Sequence, residues 1–265
     1  MTINFVKFEA QGNDYIYFEK DGLKDGDLPT LAVNMSDRHK GVGSDGIIVL
    51  EKTAKGINFQ IFNSDGSEGK ICGNGLRSAG VYAVKYMGAK PSVRFFTRSG
   101  ERSVEVMAEK EKKVAIANMG KPKLFVSSEF FAEKLQETDL SVNERDVFAV
   151  DAGNPHAVFF SGLPLAFARK HALFTEIFKD GVNVECGAVT KDGIRAEVYE
   201  RGSGKTLSCG SGAVAVAYSA VLSGRAKKGE FIKILMAGGT LEVKIDGEAF
   251  LKGEVKEVFK GEYEI

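Results

Sequence analysis

The sequence has no surplus of either charge: 36 Lys+Arg face 36 Asp+Glu over 265 residues. Without a basic excess there is no electrostatic footprint for nucleic acid or for an anionic membrane surface. No nucleic-acid and no membrane partner is therefore expected, and a small zwitterionic substrate fits the chain better. Long apolar runs are missing as well. The N-terminal "MTINFVKFEAQGNDY" lacks the apolar core of a signal peptide. The most apolar stretch, "AVAVAYSAVL" at 213–222, is too short to span a bilayer. A cytoplasmic protein is the expectation. Cysteine is scarce, with three residues at 72, 186 and 209 and no CxxC spacing. The odd number excludes a simple disulfide framework, and the absent spacing argues against a zinc site, so no metal is expected. In a reducing compartment these are free thiols.

What the chain does have is an internal echo. "KICGNGLRSAG" at 70–80 and "LSCGSGAVAVA" at 207–217 share a Cys-Gly-x-Gly core. Aligned on the two cysteines, other landmarks fall into step. Asn63 and Glu200 each lie nine residues before a cysteine, and Glu105 and Glu242 each lie thirty-three after one. Gly12 of "AQGNDY" and Gly153 of "DAGNPH" sit sixty and fifty-six residues ahead. Equal offsets on both sides of the cysteine point to a duplicated unit rather than to chance matches among glycines.

Each half has an early "GN" turn, strands rich in Val, Ile and Phe, the cysteine element, and then an apolar segment. "GAVAVAYSAVLS" (212–223) is apolar or small on every helical face, and "LRSAGVYAVKYM" (76–87) is nearly so. A helix apolar all round must be buried. The fold class expected is α+β: two pseudo-symmetric domains, each a mostly antiparallel, barrel-like sheet wrapped around a central apolar helix, with the active site in the cleft between them. Gly120 and Pro122 in "NMGKP" mark the boundary. The first domain is then expected to span 1–119, rejoined by a last strand near 258–265, and the second to span 120–257.

The cysteines fall at or just before the N-termini of those helices. Free backbone N–H groups and the positive end of the helix dipole favour an anion there. The thiol pKa, about 8.5 unperturbed, should fall toward neutrality, and the amides of Gly73, Asn74, Gly210 and Ser211 can hold a substrate carboxylate. With the helix ends opposed, one thiolate can take a proton from a carbon while the other thiol delivers one to its opposite face. That is a two-base racemisation or epimerisation, with Cys72 and Cys209 as the pair.

"FNSDGSEGKICGNGLR" (62–77) and "ERGSGKTLSCGSGAVA" (200–215) closely resemble the two signature segments of the diaminopimelate epimerase family. "GNDY" (12–15), "GVGSDG" (41–46), "GNPHAV" (153–158) and "GVNVE" (181–185) resemble further blocks in the same order, so the likeness covers nearly the whole chain. The resemblance implies an isomerase that interconverts LL- and meso-2,6-diaminopimelate in lysine and peptidoglycan synthesis, without pyridoxal phosphate or any other cofactor. It implies that Cys72 and Cys209 are the acid/base pair and that His156 and Glu200 tune them. Substrate would be bound by Asn13, Asn63, Asn154, Asn183, Glu200 and Arg201, and by the backbone at Gly73-Asn74 and Gly210-Ser211. A homodimer is also implied. Some members carry a substrate-binding glutamine at the position of Gly46; that side chain is absent here.

The residue types suit these roles. Arg201 offers a planar donor fork for a distal carboxylate and Glu200 an acceptor for a distal ammonium. A racemase for another amino acid is the alternative on the same fold, and a dithiol redox protein is a third possibility. Cys186, in the strand-like "NVECGAV", is expected to pack, and His39 and His171 to be surface or structural. "EKEKK" (109–113) is expected to be an exposed hairpin turn.

Overall fold

The computed structural model describes residues 1–109 and 112–265. The chain forms two compact units, Met1–Asn118 with Lys252–Ile265, and Met119–Leu251. The tip of the turn expected at 109–113 lies outside the described residues.

The first unit runs β1 (Thr2–Ala10), β2 (Asn13–Glu19), α1 (Leu28–Ser36), β3 (Gly46–Lys52), β4 (Ile57–Asn63), β5 (Glu68–Gly69), α2 (Gly73–Tyr86), β6 (Ser92–Thr97), β7 (Gly100–Glu109) and β8 (Lys112–Gly120). The second runs β9 (Lys123–Leu124), α3 (Ser128–Gln136), β10 (Val147–Asp151), β11 (Pro155–Phe159), α4 (Leu165–Phe174), β12 (Asn183–Thr190), β13 (Gly193–Glu200), β14 (Gly204–Lys205), α5 (Gly210–Leu222), β15 (Phe231–Met236) and β16 (Gly239–Asp246). The last strand, β17 (Glu248–Glu264), is continuous over 17 residues. Its residues from Lys252 onward belong to the first unit, upstream of the 258 expected from sequence, and it pairs with β1 from Lys256 to Glu264.

In the first unit β17, β1, β2, β3, β4, β6, β7 and β8 pair in that order, and β8 pairs back onto β17. The eight strands therefore close into a barrel. Two neighbours are parallel, β2–β3 and β4–β6. Parallel neighbours need a crossover, and α1 and α2 supply it. The second unit repeats this order: β10, β11, β12, β13, β15 and β16 pair in turn, with β11–β12 and β13–β15 parallel and α4 and α5 as the crossovers. The duplication read from cysteine spacing is thus a duplication of topology.

Each unit buries its strands on two faces. In the first, Ile16, Phe18, Ile47 and Val49 pack with Leu28, Leu31 and Met35 of α1, while Tyr17, from the other face of β2, donates from its hydroxyl to the Gly75 carbonyl of α2. Strands covered on both sides read as unbroken apolar runs, which explains "IIVL" at 47–50. The second unit adds α3, and Phe131, Leu135, Ala168 and Ala172 build its outer core against Ala149, Ala157 and Val184. The central helices are buried as their composition demands: α5 from Ala213 to Ala217, α2 from Gly73 to Ala83. One member of α2 departs from the expected apolar surface. Arg77 is fully buried in it.

Candidate active site

Cys72 and Cys209 occupy the same local structure. Each is the N-cap of a central helix with extended backbone, at φ −130°, ψ 122° and φ −129°, ψ 118°. Each sulfur accepts the N–H three residues on, Gly75 N at 3.4 Å and Gly212 N at 3.3 Å. Each cysteine carbonyl takes the next amide, from Leu76 and Ala213. The sulfur thereby satisfies one of the four orphan donors of each helix, while the carbonyl accepts the first intrahelical bond. The amides of Gly73, Asn74, Gly210 and Ser211 precede those bonded donors in the first turn of each helix. An N–H aimed at sulfur favours the thiolate over the thiol.

In the first unit, Asn13 stands at the start of β2 beside Cys72. Its Nδ2 donates to Asp45 Oδ2 at 2.6 Å, which turns its Oδ1 toward the sulfur, and the Cys72 thiol donates to that oxygen at 3.3 Å. Asp45 is itself braced by Arg38, and Arg38 also holds Asp14. The phenol of Tyr15 hydrogen-bonds to Cys72 from β2; burial and the neighbouring sulfur push its ionisation well above the ordinary value. The side chain of Asn74 is turned inward, accepting from Arg77 Nη2 at 2.6 Å, so only its backbone is available at the helix head. Arg77 also donates to Gln11 Oε1 and to the Glu254 carbonyl. Burial holds its guanidinium down to about 10, and the first opposing influence is the Cys72 sulfur. Asn63, at the end of β4, is exposed and donates to Ser67 Oγ at 3.0 Å.

Gly46 accepts no side chain. It lies opposite Asn63 in the β3–β4 ladder, and a Cβ there would come 2.1 Å from the Phe62 carbonyl oxygen and 3.0 Å from the Tyr15 ring. The glutamine that the resemblance suggests for some members cannot be accommodated at this position on this backbone.

In the second unit, His156 is fully buried on β11. Its Nδ1 lies 2.7 Å from Glu185 Oε1 and its Nε2 2.8 Å from Asn154 Oδ1. Asn183 opens β12 beside His156; its Oδ1 accepts the Arg201 backbone amide at 2.8 Å and its Nδ2 donates to the Pro155 carbonyl. Glu200 closes β13 and accepts from Thr206 Oγ1 at 2.5 Å. The Arg201 guanidinium donates to the Asp180 carbonyl through Nη1. Ser211 Oγ lies 3.4 Å from the Cys209 sulfur.

The electrostatics at Cys209 overturn one sequence expectation. Its thiol is not lowered toward neutrality but pushed well above its ordinary value. Burial is the largest cause, followed by the charges of Glu200 and Glu185; Ser211 and the Gly212 amide oppose them and lose. At this buried thiol the lowering by the helix-end amide is outweighed by burial and the two nearby carboxyl groups.

Sequence reasoning passed over Glu185, Asp45, Arg77 and Tyr15. Glu185 and Asp45 lie inside the quoted blocks "GVNVE" and "GVGSDG". The signal was available: Glu185 follows buried Val182 and Val184 and is followed by a partly buried Cys186, a charge inside an apolar strand. Cys186 packs on the outer core, with its thiol pushed up to about 12 by burial and then by Glu185. His171 is buried and bonded to Thr138. His39 is exposed. A depression of about 430 Å³ lined by Glu137, Thr138, Asp139, Lys170 and His171 contains neither capping cysteine. No helix among the described residues is long and apolar enough to cross a membrane.

Comparison with known proteins places these features. The family model described as diaminopimelate epimerase matches residues 5–125 and 148–258. The diaminopimelate epimerase of Bacillus licheniformis is 37% identical over 99% of this chain and 98% of its own. That of Bacillus subtilis is 34% identical over 99% of each. Among solved structures, a phenazine biosynthesis protein from Bacillus anthracis superposes with a TM-score of 0.71 over the whole of both chains at 14% identity, a likeness of fold.

Proposed function

The chain belongs to the diaminopimelate epimerase family, and on that premise we propose that it interconverts LL- and meso-2,6-diaminopimelate with Cys72 and Cys209 as its two proton carriers. The observation that carries this reading is the pair of matched N-caps, each with sulfur accepting a helix-end N–H and two further amides beside it.

The α-carboxylate of the substrate accepts the spare amides of Gly73, Asn74, Gly210 and Ser211. One thiolate takes the α-proton: the C–H bond breaks, an S–H bond forms, and the electron pair moves onto the carboxylate, where helix-end donors stabilise it. The other thiol gives its proton to the opposite face of the carbon. One proton is taken and one returned, so the reaction balances without a redox partner or a cofactor. Asn13, Asn63, Asn154 and Asn183 orient the amino and carboxylate groups, Arg201 takes the distal carboxylate and Glu200 the distal ammonium. Glu200 also acts on Cys209 by its charge, and His156 acts through the buried pair it forms. A site built for both distal charges rejects monoamino acids, whose binding would leave these groups unpaired. We place the enzyme in the cytoplasm, in lysine and peptidoglycan precursor synthesis, and assign it a homodimeric state.

Incubation with LL-diaminopimelate in heavy water, with no pyridoxal phosphate, tests this directly. Deuterium should enter at the α-carbon as meso product accumulates. Exchange with proline but not diaminopimelate would overturn the substrate assignment.

A further inference from the structure

The two units align station by station around their helix heads. Asn13 and Tyr15 match Asn154 and His156, and Tyr15 pairs in parallel with Gly46 as His156 does with Asn183. Two residues further along those strands stand Ile48 and Glu185. Each lies against the glycine three residues past the cysteine. A Cβ on Gly75 would come 2.6 Å from Ile48 Cδ1, and a Cβ on Gly212 would come 2.6 Å from Glu185 Oε1. The same station under the first turn is therefore apolar in one unit and a carboxyl group in the other.

Packing alone is met by isoleucine, as the first unit demonstrates. The carboxyl group does something more. The oxygen that abuts Gly212 is the one that bonds His156 Nδ1 at 2.7 Å, so Glu185 links the imidazole to the head of α5. Its Oε2 is buried without a hydrogen-bond partner, and the residue is fully shielded from solvent. A lone buried carboxylate is costly; sharing a proton with an imidazole relieves that cost. The titratable groups around it are His156 from β11, Cys186 beside it on β12, Glu200 from β13 and Cys209 at the helix head. Burial raises the proton affinity of Glu185 and His156 opposes that rise. Glu185 in turn adds to the proton affinity of Cys209.

We propose that Glu185 is a positioning residue for the Cys209 half of the reaction: it fixes the His156 ring and keeps negative charge under the head of α5, so that Cys209 rests as the thiol, the proton-delivering member of the pair. This rests on the proposed epimerase function only for its kinetic consequence. The charge arrangement stands on its own.

Full-length protein labelled with 13C at cysteine Cβ and glutamate Cδ reports both by NMR titration. In Glu185→Gln the Cys209 midpoint should fall by about one pH unit while that of Cys72 stays in place. Glu185→Leu, which copies the apolar station of the first unit, should give the same shift. The alkaline limb of kcat should move down with it, with kcat lower by roughly tenfold and KM nearly unchanged, because Glu185 is sealed from substrate. An unmoved Cys209 midpoint in a folded variant overturns the proposal. Should both variants fail to fold, the wild-type carboxyl decides: Glu185 must titrate above the ordinary range near 4.3, and titration like an exposed glutamate sinks the idea. Shifted midpoints in a protein without epimerase activity would refute the functional reading alone.

Discussion

Behind Cys72 stands a buried guanidinium; behind Cys209 stand a buried carboxyl group and, beside it, Glu200. The backbone around the two sulfurs is nearly superimposable in its dihedral angles and its capping bonds. The duplicated scaffold therefore supplies nearly identical geometry, and residues at different stations, Arg77 on α2 and Glu185 on β12, supply opposite charge. A cation favours an anionic neighbour, while carboxylates favour a neutral one. Asn13 at Cys72 works against the cation by accepting the thiol proton. A two-base epimerase needs one thiolate and one thiol at any moment, and two equivalent cysteines would leave that division to chance.

The largest expected effect comes from removing either sulfur. Cys72→Ala and Cys209→Ala should each abolish net inversion, at least about a thousandfold in kcat, measured by chiral chromatography of diaminopimelate. Net inversion that survives in either variant removes the two-base mechanism, and with it the reason for the contrast.

Next is the cation. Arg77→Met leaves Gln11 Oε1 and Asn74 Oδ1 without their donor inside the barrel. Each orphaned acceptor costs about 1–3 kcal/mol, so urea denaturation should show a loss of that order or somewhat more. Arg77→Lys keeps the charge but not the fork, and should recover part of the kcat deficit while recovering little of the stability. Equal kcat in the two variants would show that the guanidinium acts through packing alone.

How much of this was legible beforehand follows from what repeats and what does not. The equal offsets of Asn63 and Glu200, and the all-apolar segment at 212–223, carried the duplication and the central helices, because periodicity and spacing survive in a linear string. The electrostatic asymmetry was not legible there. Spacing along the chain does not show that Arg77 of α2 is fully buried, or that Glu185 lies against Gly212 at the head of α5. Nor could spacing reveal that Asn74 spends its side chain on Arg77, or that burial outweighs the helix end at Cys209.

A smaller effect isolates the station shared by Gly46 and Asn183, the first residues of β3 and β12. In the second unit the station carries an asparagine; in the first, a Cβ would meet the Phe62 carbonyl at 2.1 Å. Gly46→Ala should lose about 1–3 kcal/mol by overpacking, read from the urea midpoint, with the Tyr15–Cys72 contact disturbed. A neutral Gly46→Ala would mean that the first unit could have kept a side chain there.

The smallest effect is in alkaline stability. Cys209 is raised by burial and carboxylates, and Cys186 is raised to about 12. Unfolded cysteines ionise near 8.5, so above that pH the native state holds more protons than the unfolded one. Stability is then full below about pH 8.5 and falls as pH rises toward the folded values. Melting temperatures at pH 8 and pH 10 should differ, and Cys209→Ala should flatten the slope by up to about 1.4 kcal/mol per pH unit. An unchanged slope in that variant would mean that Cys209 ionises in the fold as it does in the unfolded chain, and the contrast between the two helix heads would rest on Arg77 alone.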